Sequence, residues 1–152
     1  MLRSLLDLLT NPAPVPDLDA GDARIATTAL LVRVARADGN YDPREIKVIR
    51  EAIATCFDLD DAAADALLKD AETLEANTGD TVSLTRLIKD GVPFENRIDV
   101  VELLWEVVLA DAKRTDDENA FLRLVVGLIG VTDQESGLAR QRVATSGAKP
   151  SR

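Results

Sequence analysis

From residue 20 onward, apolar side chains recur at helical spacing. Ile25, Leu30, Leu31, Val34 and Ala35 share a stripe, which predicts a helix from about residue 20 to Asp38. The next helix carries its own start signals in "DPRE": Asp42 as N-cap, Pro43 at the first helical position, and Glu45 at the third, where a capping box places it. Its predicted buried face is Ile46, Ile49, Ile53 and Cys56. "LDDAAADALLKDAETLEAN" and "DTVSLTRLIKDGV" predict a third and a fourth helix, with "NTGD" as the break between them. "GVP" at 91–93 closes the fourth. Pro93 then admits a fifth, "FENRIDVVELLWEVVLADA", with Ile98, Val101, Leu104, Trp105 and Val108 at i, i+3, i+4 spacing. Trp105 is the expected largest single contributor to the core. "TDDE" at 115–118 and "TDQE" at 132–135 are two more capping boxes, opening "NAFLRLVVGLIGV" and a last helix. No segment alternates as a strand does. The expectation is an all-α fold: a single compact domain of about seven helices.

Two of these patterns match each other. At an offset of 73 positions, residues 31–53 align with 104–126, and Leu31/Leu104, Val34/Val107, Ala37/Ala110, Asp38/Asp111, Glu45/Glu118 and Arg50/Arg123 are identical. The apolar register agrees too, since Ile49 falls on Leu122 and Ile53 on Val126. Two helical hairpins facing each other across one core are the expected arrangement.

The ends of the chain read differently. "MLRSLLDLLT" predicts an N-terminal amphipathic helix over 1–10; Asp7 breaks its apolar run and no small-residue cleavage pattern follows, so it fails as a secretory signal. It would dock on the body or lie at a membrane interface. Three prolines among turn residues make 11–21 a linker. The domain proper is expected over 22–145. Residues 146–152, "SGAKPSR", form a mobile tail in a C-terminal stretch that has four basic and no acidic residues after Ser136.

Composition narrows the function. With 152 residues, 46% of them apolar, and no apolar run of membrane-spanning length, the chain reads as globular. Aromatic residues are 3% of it, so the core must be aliphatic. The net charge of −9 argues against nucleic acid or an anionic membrane surface as the main partner, and basic proteins or cations fit better. Without His and with one Cys, the chain lacks Ser-His and Cys-His catalysis, Cys/His zinc sites and an internal disulfide. No phosphate loop or cofactor fingerprint is present, so no enzyme is expected. Cys56 reads as a small core hydrophobe, and the eight acidic residues from Asp58 to Asp80 as a solvated face.

The paired Ala-Asp…Glu turns, "ADGNYDPRE" and "ADAKRTDDE", together with "NRIDVVELLWEVVLADAKRTDDENAFLRLVVGLIGVTDQE", resemble the TerB-like family of tellurite-resistance proteins over about residues 22–135. The module is also similar to the N-terminal domain of the membrane-anchored co-chaperone DjlA. The resemblance implies an acidic divalent-cation site, calcium being the usual ion and magnesium its analogue. It also implies a place in cytoplasmic stress-response assemblies at the inner face of the membrane, peripheral to a membrane complex, with a protein partner. Carried over to this chain, the metal ligands would be Asp38, Glu45, Asp111 and Glu118, with Asp42 and Asp116 as additional candidates. The chain departs from the family at Ala112, where a Gly is usual, and Ala enters a left-handed turn only at a cost of about 1–2 kcal/mol.

A plainer reading stands beside that one. Glu45 and Glu118 lie three residues after Asp42 and Thr115, so capping boxes account for both. Asp38 and Asp111 are left over. Each falls at a helix C-terminus, where the dipole disfavours a carboxylate by about 0.3–1 kcal/mol. Either turn amides or a cation would offset that charge. An oxygen-only set would select a hard ion such as calcium or magnesium. An EF-hand is excluded, because Pro43 stands where that loop needs Gly and Ile49 where it needs a bidentate Glu. The two alternatives are a cation module and a protein-interaction module of co-chaperone type whose carboxylates only cap helices.

Overall fold

The computed structural model describes residues 20–37, 41–110 and 116–148; at 20–22, 116–119 and 146–148 it describes the helical backbone. Among the described residues there are seven α-helices and no strand. They are α1 (Ala20–Arg36), α2 (Pro43–Phe57), α3 (Asp61–Asn77), α4 (Thr81–Gly91), α5 (Arg97–Leu109), α6 (Asp116–Ile129) and α7 (Asp133–Ala148), with a short 3-10 turn at Phe94–Asn96. The predicted N-terminal helix 1–10, residues 11–19 of the predicted 11–21 linker and residues 149–152 of the predicted tail lie outside the described residues, while residues 20–21 and 146–148 are helical.

Local chemistry sets most helix starts. Asp42 accepts the Glu45 N–H at 3.0 Å, Asp60 the Ala63 N–H at 2.8 Å, and Asp80 the Ser83 N–H at 3.2 Å, each satisfying a donor the helix cannot pair internally. At α7 the capping box is reciprocal: Glu135 N–H donates to Thr132 Oγ1 at 3.1 Å and Thr132 N–H to Glu135 Oε1 at 3.0 Å. Left-handed residues close two helices. Asp58 (φ 56°) ends α2 and Gly130 (φ 96°) ends α6. In both turns the next amide reaches back to an earlier carbonyl, Leu59 to Ala54 at 2.9 Å and Val131 to Val126 at 3.2 Å.

Helix α1 is the hub. It packs on α3 and α4 most extensively, and also on α2, α5 and α6. Surrounded in this way, it is buried on nearly every side: Ala23, Ala26, Ala29, Leu30, Leu31, Val32, Val34 and Ala35 are all in the core. The predicted stripe was therefore too narrow, and Ile25, one of its members, is only half-buried. In α2 the buried face is Ile49, Ala52, Ile53 and Phe57, while Ile46 and Cys56 flank it. Trp105 also falls short of its expected place. It is half-buried at the rim of α5, its Nε1–H donates to Ser136 Oγ at 3.0 Å, and Arg140 stacks on its ring at 5.2 Å. An indole keeps its N–H satisfied more cheaply at an edge than in an aliphatic centre. That centre is filled by Leu30, Leu31, Ile49, Ile53, Leu84, Ile88, Leu104, Leu122 and Ile129.

The repeat appears in three dimensions. Arg36 and Leu109 end the first helices of the two hairpins, Pro43 and Asp116 begin the second ones, and each pair is separated by the same 73 positions. Burial follows that offset: Leu30/Leu103, Leu31/Leu104, Val34/Val107, Ile49/Leu122, Ala52/Val125 and Ile53/Val126 are core residues in both copies. The hairpins pack on each other through α1 and α2 against α5, and through α1 against α6. Arg97 ties in the ends of two more helices. It donates to Lys89 O at 3.0 Å and Val92 O at 3.2 Å at the end of α4, and to Ile129 O at 3.5 Å at the end of α6. A cation is favoured at these carbonyl-rich termini.

Candidate functional site

The two Ala-Asp…Glu turns connect α1 to α2 and α5 to α6. Of the six candidate ligands, Asp38 and Asp111 lie outside the described residues; Asp116 and Glu118 sit in the first turn of α6, their side chains outside the description. Asp42 and Glu45 are described. Asp42 stands half-buried in extended backbone (φ −99°, ψ 174°), with Oδ1 committed to the Glu45 N–H. Glu45 is half-buried in the first turn of α2, and its Oε1 has lost contact with solvent. Both are oxygen donors of the kind a hard cation takes, and Glu45 lies at a helix start, where negative charge is favoured. Among the described residues no group of three or more acidic or thiol side chains is arranged to hold a metal ion.

The described flanks of the first turn are more elaborate than the spacing implied. Arg33 reaches from α1 to the end of α3, where its Nε pairs with Glu75 Oε2 at 3.1 Å and its Nη2 donates to the carbonyls of Glu75 and Thr78. Arg36, one turn on, lies 3.7 Å from Glu75 Oε1 and stacks at 4.8 Å over the ring of Tyr41. Tyr41 OH in turn donates to Glu72 Oε2 at 2.7 Å. Burial first, and then Glu72, hold the Tyr41 phenol above its usual range, so it remains a donor through neutral and mildly alkaline pH.

The Asp58–Asp80 segment is a solvated face at six of its eight carboxylates, and Glu72 and Glu75, which this network draws in, are the two departures. Glu75 is 8% exposed, Glu72 accepts from Tyr41, Asp65 pairs with Arg50 at 3.3 Å, and Asp60 and Asp80 are caps. A signal for Glu75 was present in the sequence. It continues the buried stripe Ala64, Leu68, Ala71 at helical spacing, and a carboxylate on such a stripe needs a cation. Arg33 is the matching anomaly, a charge inside "ALLVRVA".

Elsewhere, Cys56 faces α5. Burial, then the nearby Glu106 and Asp99, push its thiol up to about 12. Burial raises both of those carboxyls as well, and Glu102 adds to the effect. Two shallow clefts border α7. One of about 270 Å³ is lined by Trp105, Leu122, Arg123 and Arg140 among others, and one of about 220 Å³ by Phe94, Ile98, Val131, Leu138 and Arg142 among others. Phe94 and Leu138 stay 60% and 49% exposed.

Fold and turns define an all-helical module built on two repeated hairpins with acidic connections. The chain belongs to the family of tellurite resistance protein TerB, whose model matches residues 24–141. Neither a curated protein nor a solved structure matches it.

Proposed function

We propose that this TerB-family chain is a non-catalytic module of the tellurite or general stress response, and that its two Ala-Asp…Glu turns form an acidic site for calcium or magnesium. The observation supporting this reading is the repeat itself: helix ends and core positions recur at the same offset, so each turn links corresponding helices of its hairpin. The ligands would be Asp38, Glu45, Asp111 and Glu118, with Asp42 and Asp116 beside them. The ion would supply positive charge between helix ends and tie the hairpins together. The sole thiol, Cys56, is held neutral by burial, which fits a role without nucleophilic or reductive chemistry. No helix among the described residues is long and apolar enough to cross a membrane, so work at the inner face of the membrane would be peripheral, through a protein partner.

Titration calorimetry with calcium tests this. Glu45→Gln and Glu118→Gln should each weaken binding at least about tenfold, since Gln keeps a capping partner but removes a ligand charge. Unchanged binding in both variants would rule these ligands out.

A second reading has its own observation. Asp42 does cap α2, and Phe94 and Leu138 are exposed on one cleft, as a protein-interaction module of co-chaperone type would require. A partner lost by Phe94→Ser and retained by Glu45→Gln would favour it.

A further inference from the structure

The repeat runs one helix beyond the two hairpins, and there its halves differ. Helix α6 has 14 residues against 15 in α2, so past its end the offset falls to 72. At that offset the left-handed closing residues Asp58 and Gly130, the caps Asp60 and Thr132, and the buried Ala64 and Ser136 correspond, which makes α7 the counterpart of α3. In the first half, Arg50 Nη1 of α2 pairs with Asp65 Oδ1 of α3 at 3.3 Å. In the second half the arginine is kept, as Arg123, but Gly137 stands in the place of Asp65. Arg123 and Gly137 line the same cleft, the one of about 270 Å³ bounded by α5, α6 and α7. We propose that this cleft docks an acidic segment of a partner protein: a carboxylate of the partner takes the place that Asp65 holds in the first half, and an apolar neighbour rests on Trp105. The site requires no cation and is separate from the cleft of Phe94 and Leu138.

The charges in the cleft are arranged for such a partner. Ion pairs among the described residues take up Arg33, Arg36, Arg50 and Arg142, and include neither Arg123 nor Arg140. Arg140 is stacked at 5.2 Å over the Trp105 ring, whose Nε1–H donates to Ser136 Oγ at 3.0 Å. A guanidinium oriented by a ring face keeps its edge donors for a carboxylate. Against these two arginines the lining has one carboxylate, Asp133, so the cleft keeps a positive charge. No other part of the described structure comes within 4 Å of where a Cβ on Gly137 would stand, which leaves room for the incoming group.

The same observations choose among acidic partners. From Gly137 onward the chain has no acidic residue, a local basic stretch in a molecule of net charge −9. A nucleic acid or an anionic membrane would meet the repulsion of the other surfaces, whereas one or two carboxylates need only the cleft. Leu122, Val126 and the indole beside the guanidiniums offer an apolar seat, which a free carboxylate ion would leave unused and a peptide side chain fills.

The experiment titrates the full chain, in chelator, with short acetylated peptides in which Asp or Glu alternates with Leu or Phe. Binding is read from a fluorescein label on the peptide and from the fluorescence of Trp105, the chain's single tryptophan. The acidic peptides should bind saturably below millimolar concentration. Their Asn and Gln counterparts on wild type, and the acidic peptides on Arg123→Gln or Arg140→Gln, should each bind at least roughly tenfold more weakly, the scale of one charge-assisted hydrogen bond. Gly137→Asp returns to α7 the carboxylate that Asp65 supplies in α3, so it should abolish binding without lowering the melting temperature, while Gly137→Ala binds like wild type. Gly137→Asp, folded and binding as Gly137→Ala does, would overturn the proposal. Wild-type affinity in both arginine variants would overturn it whatever the fold of Gly137→Asp, and so would amide peptides that match the acidic ones or acidic peptides without effect at millimolar concentration. A Trp105 signal that follows protein concentration alone, with dimers in sedimentation, would give the cleft to a second copy and overturn it as well.

Discussion

Arg33 and Glu75, with side chains 14% and 10% exposed, form the most deeply buried ion pair among the described residues. Such a pair is a weak source of net stability, because desolvation offsets most of the attraction, but a stranded partner is costly. Arg33→Met should lower stability by about 3–5 kcal/mol in denaturant unfolding. Arg33→Met with Glu75→Leu should recover part of that, with the carbonyl bonds of Arg33 still missing. A second expectation concerns Cys56, whose thiol lies at about 12 against an ordinary 9.0. The native protein should resist iodoacetamide at pH 8 and react once unfolded. Because the folded chain holds this proton more tightly than the unfolded chain, the group's contribution to stability is fully present below pH 9 and is lost as pH rises from about 9 to about 12. Cys56→Ala should flatten that part of the stability profile.

Helix ends were legible because capping is local. Asp42, Asp80 and Thr132 each announce a start within four residues, and the structure places their cap bonds there. Buried faces were less legible, since they depend on what packs against them. The stripe on α1 became a nearly all-round core because α3, α4, α5, α2 and α6 surround it, a fact no window on α1 contains. Trp105 shows the same limit: its size argued for the centre and its N–H drew it to the edge, where Ser136 waits 31 positions away. The Arg33–Glu75 pair spans 42 positions and could be inferred only as two separate anomalies. Of the candidate site, Asp42 and Glu45 stand where the cap pattern put them; Asp38 and Asp111 lie outside the described residues. One prediction belongs at this scale. Gly130 closes α6 at φ 96°, and a Cβ there would stand 3.4 Å from Arg97 Nη1, which is bonding the end of that same helix. Gly130→Ala should cost about 1–2 kcal/mol, read as a lowered melting temperature.

For the whole molecule, the repeat means that one offset relates two turns, two helix starts and two halves of a shared core. A divalent cation held by both turns would link hairpins that already pack together, and it would bind the folded chain far better than the unfolded one. Calcium should therefore stabilise the whole fold cooperatively. The most direct measurement is the thermal melt of the wild-type chain in chelator and in calcium. At about 100 times its dissociation constant the ion should add about 2.7 kcal/mol, a rise of roughly 5–10 °C for a chain of this size. A melt unmoved by millimolar calcium, and by millimolar magnesium, would contradict the cation site and leave Glu45 and Glu118 as members of helix-capping boxes.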